Sequence, residues 1–496
     1  MRLLYLLSFL VLLLTACEVD RDFLTGDAVE LRFGTDTLRF DTVFTARGSA
    51  TRLFTVYNDA ADPVKIDRIS VAGGSGVNFT FNADGQLGPV AEDVVIFGRD
   101  SIYIFVEVEV DPTQPEEVSP FIAEDRLVFE TGSASASVVL EAFGQNANYL
   151  NGFRRGGLFQ PICQDGTFTL STDLPTVIYG SMFVDSCTLR MLAGTRVYFH
   201  GGIQRNPAIG GNGIFNDGFI YTLPDGRLEL LGTLEDPILL ATDRLEESFS
   251  NSTGGYRGLI LGPGSRGNRI EFTEIRNSIV GVTVDSLAEV TITDSRITNS
   301  SGPAVTGYQS DITIRNSLFH SNFSNTIQVV KGGNLLLDQV TLANYGVDAS
   351  ALLVQNFACD ENDECFAAPF AGTVRNSIIA GSRSSELSLA DAFEGSDPAF
   401  FQLRIENSVV RTDDEFLASN GGAWTDFYTE NCGNCYNLQF SDPLFVSVSE
   451  DDYRPDSLSV ARDLGVFLPE LPDDLAGNAR DTESPDAGAL EWQPEG

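Results

Sequence analysis

Two neighbouring stretches, ITDSRITNSS beginning at Ile292 and IRNSLFHSNF beginning at Ile314, carry the same pattern of residue types 22 positions apart. At that spacing Ile292, Ile314 and Leu336 fall in register, as do Asp294, Asn316 and Asp338, and Ser300, Asn322 and Asn344. Upstream, Ile275, Ile297 and Phe319 align, and so do Asn277 and Asn299. A period of 20 to 30 residues is the signature of a solenoid, in which each repeat is one supersecondary unit that buries its apolar face only by stacking on its neighbours. Such a chain is not limited by a single spherical core, so 496 residues are accommodated by one elongated domain and a smaller module.

The content of each turn selects the kind of solenoid. The segments VTIT and ITIR are β-branched, lack helical periodicity and are broken by Asn, Ser and Gly. The regular Leu and Asn/Cys consensus of leucine-rich repeats is absent. A parallel β-helix remains, with coils stacked at the inter-strand spacing, aligned apolar residues inside and aligned Asn and Ser at the bends. These phrases resemble the right-handed β-helix repeats of the pectate-lyase-like superfamily. Similar phrases extend upstream (189–199, 227–240, 256–265, 268–278) and downstream (372–382, 403–410). They predict on the order of ten or eleven coils over 150–440, a rod about 50 Å long. The closing phrases SDPLFV (441–446), DYRPDSLSVARDLG (452–465) and DLAGNARDTESPDAGALEW (474–492) resemble the choice-of-anchor Q segment of bacterial surface proteins. The resemblance implies a cap over 441–496 that covers the open end of the last coil, with Tyr453 and Trp492 in its core.

Ahead of the repeats, SIYIFVEVEV alternates: Ile102, Ile104, Val106, Val108 and Val110 on one face, Tyr103, Phe105, Glu107 and Glu109 on the other, the period of a half-buried strand. About seven such strands between 29 and 145 predict a β-sandwich. The phrases FTVYN, IYIFVEVEVDP, DRLVFET and VVLEAFGQ resemble immunoglobulin-like modules of the ASPM/SPD-2/Hydin type. The expected fold class is therefore all-β, an N-terminal immunoglobulin-like β-sandwich followed by a right-handed parallel β-helix solenoid.

The first residues, MRLLYLLSFLVLLLTAC, place one Arg before an apolar run that is too short to span a bilayer. Leu14-Thr15-Ala16-Cys17 resembles the lipobox of bacterial lipoproteins, which implies a signal peptide over 1–16, cleavage before Cys17 and lipid attachment at Cys17. Several acyl chains anchor stably where one binds reversibly. Within the acidic tether 17–28, the run Glu18-Val19-Asp20-Arg21-Asp22 resembles the surface-export tags of some Gram-negative outer-membrane lipoproteins. The expected location is the outer membrane or cell surface of a Gram-negative bacterium, with the membrane as a partner through the anchor.

Charge and cysteine content agree with export. Lys and Arg number 31 against 70 Asp and Glu, a net charge of −39, which repels phosphate backbones and excludes nucleic acid as a partner. Besides Cys17 there are six cysteines, Cys163, Cys187, Cys359, Cys365, Cys432 and Cys435. An even number in an exported chain implies disulfides, and proximity favours 163–187, 359–365 and 432–435 among fifteen pairings.

Chemistry is less legible. Polysaccharide-cleaving β-helices need paired carboxylates, or carboxylates holding a cation beside a base. Acids are abundant everywhere, and the paired-Asp, Gly-His-Gly and Arg-Ile-Lys signatures of polygalacturonases are absent. If Phe319 points inward, His320 points outward into solvent, a weak catalytic candidate. The loop CDENDEC offers Asp360, Asn362 and Asp363 as weak calcium candidates, without the Gly and spacing of an EF-hand; calcium is a possible cofactor. Tyr308 and Tyr345 are candidates for stacking on sugars. Three functions stay open: a non-catalytic face that binds polysaccharide or a surface protein, a polysaccharide lyase or glycoside hydrolase, and a structural envelope component. The reading leans to the first.

Overall fold

The computed structural model describes residues 23–24, 26, 29–44, 51–74, 77–109, 121–152, 161–205, 214–216, 218–360, 362, 364–419, 424 and 426–494. The leader, Cys17, most of the acidic tether and Asp363 lie outside the described residues. The chain divides into two compact units, Met1–Ala147 and Asn148–Gly496.

The first unit has two five-stranded sheets. One joins Leu31–Phe33, Arg52–Asn58, Asp100–Glu109, Asn78–Ala83 and Gln86–Leu87; the other joins Thr37–Phe44, Ala134–Gln145, Phe121–Thr131, Val64–Val71 and Val90–Ile96. The alternation read in SIYIFVEVEV is realised: Ile104, Val106 and Val108 are buried while Tyr103, Phe105, Glu107 and Glu109 are exposed. Both sheets contribute to one core, with Phe40 and Phe129 from one and Phe54 and Phe79 from the other.

In the second unit each coil contributes up to three short strands, and successive coils pair in parallel. One column of eleven strands runs from Asn148–Asn151 to Tyr436–Asn437; the other two columns merge into a seventeen-stranded sheet. They merge because Val305–Arg315 and Ile327–Asp338 run unbroken through the bend that divides the first column from the second. The eleven-stranded sheet is the third column. Ten steps of about 4.8 Å give it a length of roughly 48 Å. Its inward residues Ile275, Ile297, Phe319, Leu342, Ile379 and Val410 stack in one buried cluster with Ile270, Ile292, Ile314, Leu337, Val374 and Ile405 of the second column.

The period of 22 is exact only over part of the stack. Ile292 pairs with Ile314, and Ile275 with Ile297 and then Phe319, but Ile314 pairs with Leu337, leaving Leu336 opposite Thr313. Asp338 therefore lies level with Arg315, not Asn316, and because His320 pairs with Ala343, Asn344 is one step off Asn322. One additional residue enters at Gly332–Gly333, where the register shifts and φ is +74° and +107°. A Cβ on Gly333 would lie 2.3 Å from the Ser310 carbonyl oxygen, so the bulge requires glycine.

The recurrent Asn-Ser phrase is a corner device. Asp294, Asn316, Gln339, Asn376 and Asn407 turn from the second column into the third with φ between +46° and +57°, a conformation that short amide and acid side chains tolerate. The serine that follows closes a ladder. Ser317 Oγ accepts from the Ser295 amide at 3.1 Å and donates to the Arg315 carbonyl at 2.7 Å, and Ser408 Oγ repeats this for the Ser377 amide and Glu406 carbonyl. At another corner the Ser300 amide donates to Asn322 Oδ1 at 3.1 Å. The repeated polar residues thus satisfy backbone groups that the bends would otherwise bury unpaired.

The C-terminal segment does not close the end of the last coil. That end is filled by the helical insertion Asp414–Ser419 and Phe427–Glu430, whose Leu417 and Phe427, with Trp424, join the interior cluster; Trp424 meets Phe401 at 4.9 Å. Residues 441–494 instead run along the outside of the third column. The reason is compositional: Leu318, Ala343, Ile378 and Val409 are outward-facing apolar residues, and they are buried by Leu444, Tyr453, Ala461, Leu475, Ala487 and Ala489. Arg480 pins this cover, donating to Glu491 at 3.1 Å, to Asn316 Oδ1 at 2.7 Å and to the Gly488 and Ala489 carbonyls. Tyr453 is buried in the cover, whereas Trp492 is half-buried with the Arg462 guanidinium 3.9 Å from its ring.

Candidate functional site

The covering segment changes the setting of His320. Strand alternation does direct the ring away from the interior, but the side chain is only 13% exposed because Tyr453 packs on it, ring centroids 4.7 Å apart. Its Nδ1 lies 3.0 Å from Ser321 Oγ and 3.4 Å from Asp451, which also accepts from Ser321 Oγ. The expectation of a solvent-facing imidazole is therefore corrected: periodicity gives direction, and a segment 130 residues away decides exposure. Burial pulls the pKa down to about 4 despite the opposing pull of Asp451, so the ring is neutral at pH 7.

Beside this cluster, between the outer face of the third column and the cover, lies a cavity of about 400 Å3. Tyr345, Phe440 and Phe445 supply aromatic wall, Ser382, Arg411 and Asp442 polar groups. Tyr345 follows the strand Thr341–Asn344 and is held edge-to-face by Phe445 at 6.3 Å and near Tyr453 at 6.5 Å. Arg411 follows the strand Val409–Val410 and is 6% exposed. It donates to the Gly381 carbonyl, to Gln439 O at 3.2 Å and to Leu438 O at 3.4 Å, while Phe440 lies 4.4 Å from its guanidinium carbon. Behind Gly381 sits the fully buried Glu386, whose two oxygens accept from the amides of Arg383 (2.7 Å) and Ala351 (2.8 Å). Burial pushes its pKa up to about 7, against the lowering effect of those amides and of Arg411.

A second grouping lies on earlier coils of the same column. His200 Nδ1 is 2.7 Å from Asp243, its ring 4.6 Å from Tyr179, and Tyr179 is 6.3 Å from Tyr149.

The six cysteines form three bonds, Cys163–Cys187, Cys359–Cys365 and Cys432–Cys435. The second closes the antiparallel hairpin Phe357–Cys359 with Cys365–Ala367. In its loop Asp360 Oδ1 accepts from the amides of Asn362 (2.8 Å) and Glu364 (3.0 Å), which hold the carboxyl below its usual range. Among the described residues no three His, Cys, Asp or Glu side chains gather where they could hold a metal ion. Tyr308 is 40% exposed, apart from the cavity that Tyr345 lines.

Sequence reading missed Arg411, Glu386 and Asp243. The available signal for Arg411 was a basic residue closing an apolar strand phrase, LRIENSVVR, in a strongly acidic chain. Asp243 meets His200 only because an insertion separates their coils by 43 positions, which no short motif encodes.

No protein-family model matches this chain, and no curated protein matches it. Among solved structures, the catalytic unit of a thermostable GH87 alpha-1,3-glucanase from Streptomyces thermodiastaticus aligns over 72% of this chain and 75% of its own, at 10% identity and a TM-score of 0.29. A family 123 glycoside hydrolase from Clostridium perfringens aligns over 47% and 67%, at 6% identity and a TM-score of 0.17. Neither likeness assigns a residue of the cavity.

Proposed function

We propose that this chain is a lipid-anchored protein of the outer membrane or cell surface of a Gram-negative bacterium, whose solenoid, right-handed in sense, binds polysaccharide on its outer face without cleaving it. The observation that carries this reading is the cavity of about 400 Å3 in which Tyr345, Phe440 and Phe445 meet Arg411, Ser382 and Asp442. Its volume lies within the range of small-molecule sites, with the usual composition of apolar wall and a few convergent polar groups. Aromatic faces pack on the C–H faces of pyranose rings while hydroxyls and the guanidinium supply hydrogen bonds. The fully buried Glu386 does not make this a hydrolytic site, because both of its oxygens are already engaged by amides and a cleaving pair needs two carboxyls converging on one bond.

Anchorage rests on the apolar leader followed by Leu14-Thr15-Ala16-Cys17. The two-sheet first unit is, in this reading, an immunoglobulin-like spacer between the anchor and the solenoid. A second reading, a polysaccharide lyase, draws on the His200–Asp243 pair, a positioned acid/base group beside two tyrosines. Incubating the soluble chain with acidic and neutral polysaccharides separates them: binding without new reducing ends or unsaturated products supports the first reading, and depolymerisation overturns it. For the anchor, Cys17→Ala is expected to lose lipid labelling and membrane association; persistent fractionation with the outer membrane would refute lipidation at this residue.

A further inference from the structure

Two arginines are buried among the described residues, Arg411 and Arg480. Arg480 has Glu491 at 3.1 Å, whereas no carboxylate of the described residues lies within ion-pair distance of Arg411. In a chain with 70 acidic side chains and 31 basic ones, a buried arginine whose hydrogen bonds go to neutral carbonyls and not to a carboxylate runs against composition. Two acids of this neighbourhood are hydrogen-bonded elsewhere. Glu386 is held by the amides of Ala351 and Arg383, and Asp442 Oδ2 accepts from the Gln439 amide at 2.8 Å. Glu386 acts on Arg411 electrostatically but makes no ion pair with it, and a buried guanidinium so weakly countered is costly; an anion entering from the cavity offsets that cost. The open side is the aromatic cavity.

We propose that the cavity receives the terminal residue of a glycan whose end carries a sugar carboxylate, and that Arg411 is its anion-binding group. This rests on the polysaccharide-binding reading above and names its ligand class. A carboxylate matches the planar donor fork of arginine, and the attached ring lies against Tyr345 and Phe445. A chain end is indicated because about 400 Å3, bounded on one side by the third column and on the other by Pro443, Leu444 and Phe445, has room for a disaccharide-sized object and not for a run of ring subsites. Phe440, 69% exposed, rests on the guanidinium and lines the cavity.

The test compares four probes on the soluble chain by calorimetry: 3′-sialyllactose, lactose, the methyl ester of 3′-sialyllactose, and acetate. The expected result is binding of 3′-sialyllactose at least tenfold tighter than of lactose or of the ester, and a loss of at least tenfold in Phe440→Ala, whose exposed ring is removed without disturbing the fold. Because Arg411→Met also breaks carbonyl contacts and can impair folding, the ester comparison on the unaltered chain keeps the proposal testable. Equal binding of the acid, its ester and lactose would overturn the carboxylate assignment while leaving a polysaccharide-binding protein. Binding of acetate alone would overturn the sugar assignment. Binding of polygalacturonate but not of 3′-sialyllactose would overturn the chain-end assignment, and binding of none of these would sink this inference and weaken the reading beneath it.

Discussion

Arg375 grips Asp338 with Nε at 2.7 Å and Nη2 at 2.8 Å, one coil above it, while Arg315 from the coil below reaches the same carboxylate at 3.4 Å. Asp338 is fully buried and its two partners about one-third exposed, so one acid ties three successive coils together. Asp338→Asn is expected to lower stability by about 2 kcal/mol, since the amide keeps the shape but leaves Arg315 without its carboxylate and Arg375 with Glu470 alone, at 3.8 Å. Denaturant titration of the second unit checks this; an unchanged midpoint would mean the charges are met by solvent.

The same triad shows what the sequence could and could not disclose. Period, strand chemistry and corner residues were readable because they are local and repeated: Ile292 over Ile314 and Ser295 over Ser317 follow from spacing alone. The bulge at Gly332–Gly333 was not, because a single inserted residue is invisible until the pairing is known. It moves Asp338 from the level of Asn316 to that of Arg315 and so creates the ion pair. Likewise the cavity was hidden, since Arg411 and Phe445 are brought together by a cover segment whose target face only the coil register defines.

Gly333→Ala is expected to cost more than about 1 kcal/mol, because it places a Cβ at φ +107° and 2.3 Å from the Ser310 carbonyl oxygen. Gly346→Ala, at φ +75° with open space around its Cβ, bears the backbone penalty alone and should cost less. Comparable losses in thermal unfolding would count against a packed bulge at 333.

Two buried titrating groups give opposing pH slopes. Glu386 is raised to about 7 from 4.5, so the fold binds its proton more tightly than the unfolded chain does; that stabilisation is complete below pH 4.5 and lost as pH rises through 7, at most about 3 kcal/mol. His320 is lowered to about 4 from 6.5, so the unfolded chain takes up the proton first; that stabilisation is complete above pH 6.5 and lost as pH falls towards 4. In the shared window they offset. Glu386→Gln should leave a curve that rises with pH between 4.5 and 6.5, and His320→Gln one that falls; identical curves for both variants would show that neither group titrates as described.

Of the three disulfides, Cys163–Cys187 closes the longest loop, with a sequence separation of 24, against 6 for Cys359–Cys365 and 3 for Cys432–Cys435. Chain-entropy reasoning assigns it about 3.5 kcal/mol and the shortest about 2 kcal/mol. Paired Cys→Ala variants should therefore lose thermal stability in the order 163/187 before 432/435. The reverse order would place the stabilisation in local packing around the helical insertion Asp414–Ser419 and Phe427–Glu430.

In the proposed function the solenoid's outer face binds polysaccharide without cleaving it. Affinity electrophoresis of the detergent-solubilised protein through gels containing acidic or neutral polysaccharides, with product analysis of the same mixtures, checks this. Retardation by at least one polysaccharide is expected, reduced in Phe440→Ala, with no new reducing ends or unsaturated products. Unretarded migration through every polysaccharide, or accumulation of cleavage products, would contradict it.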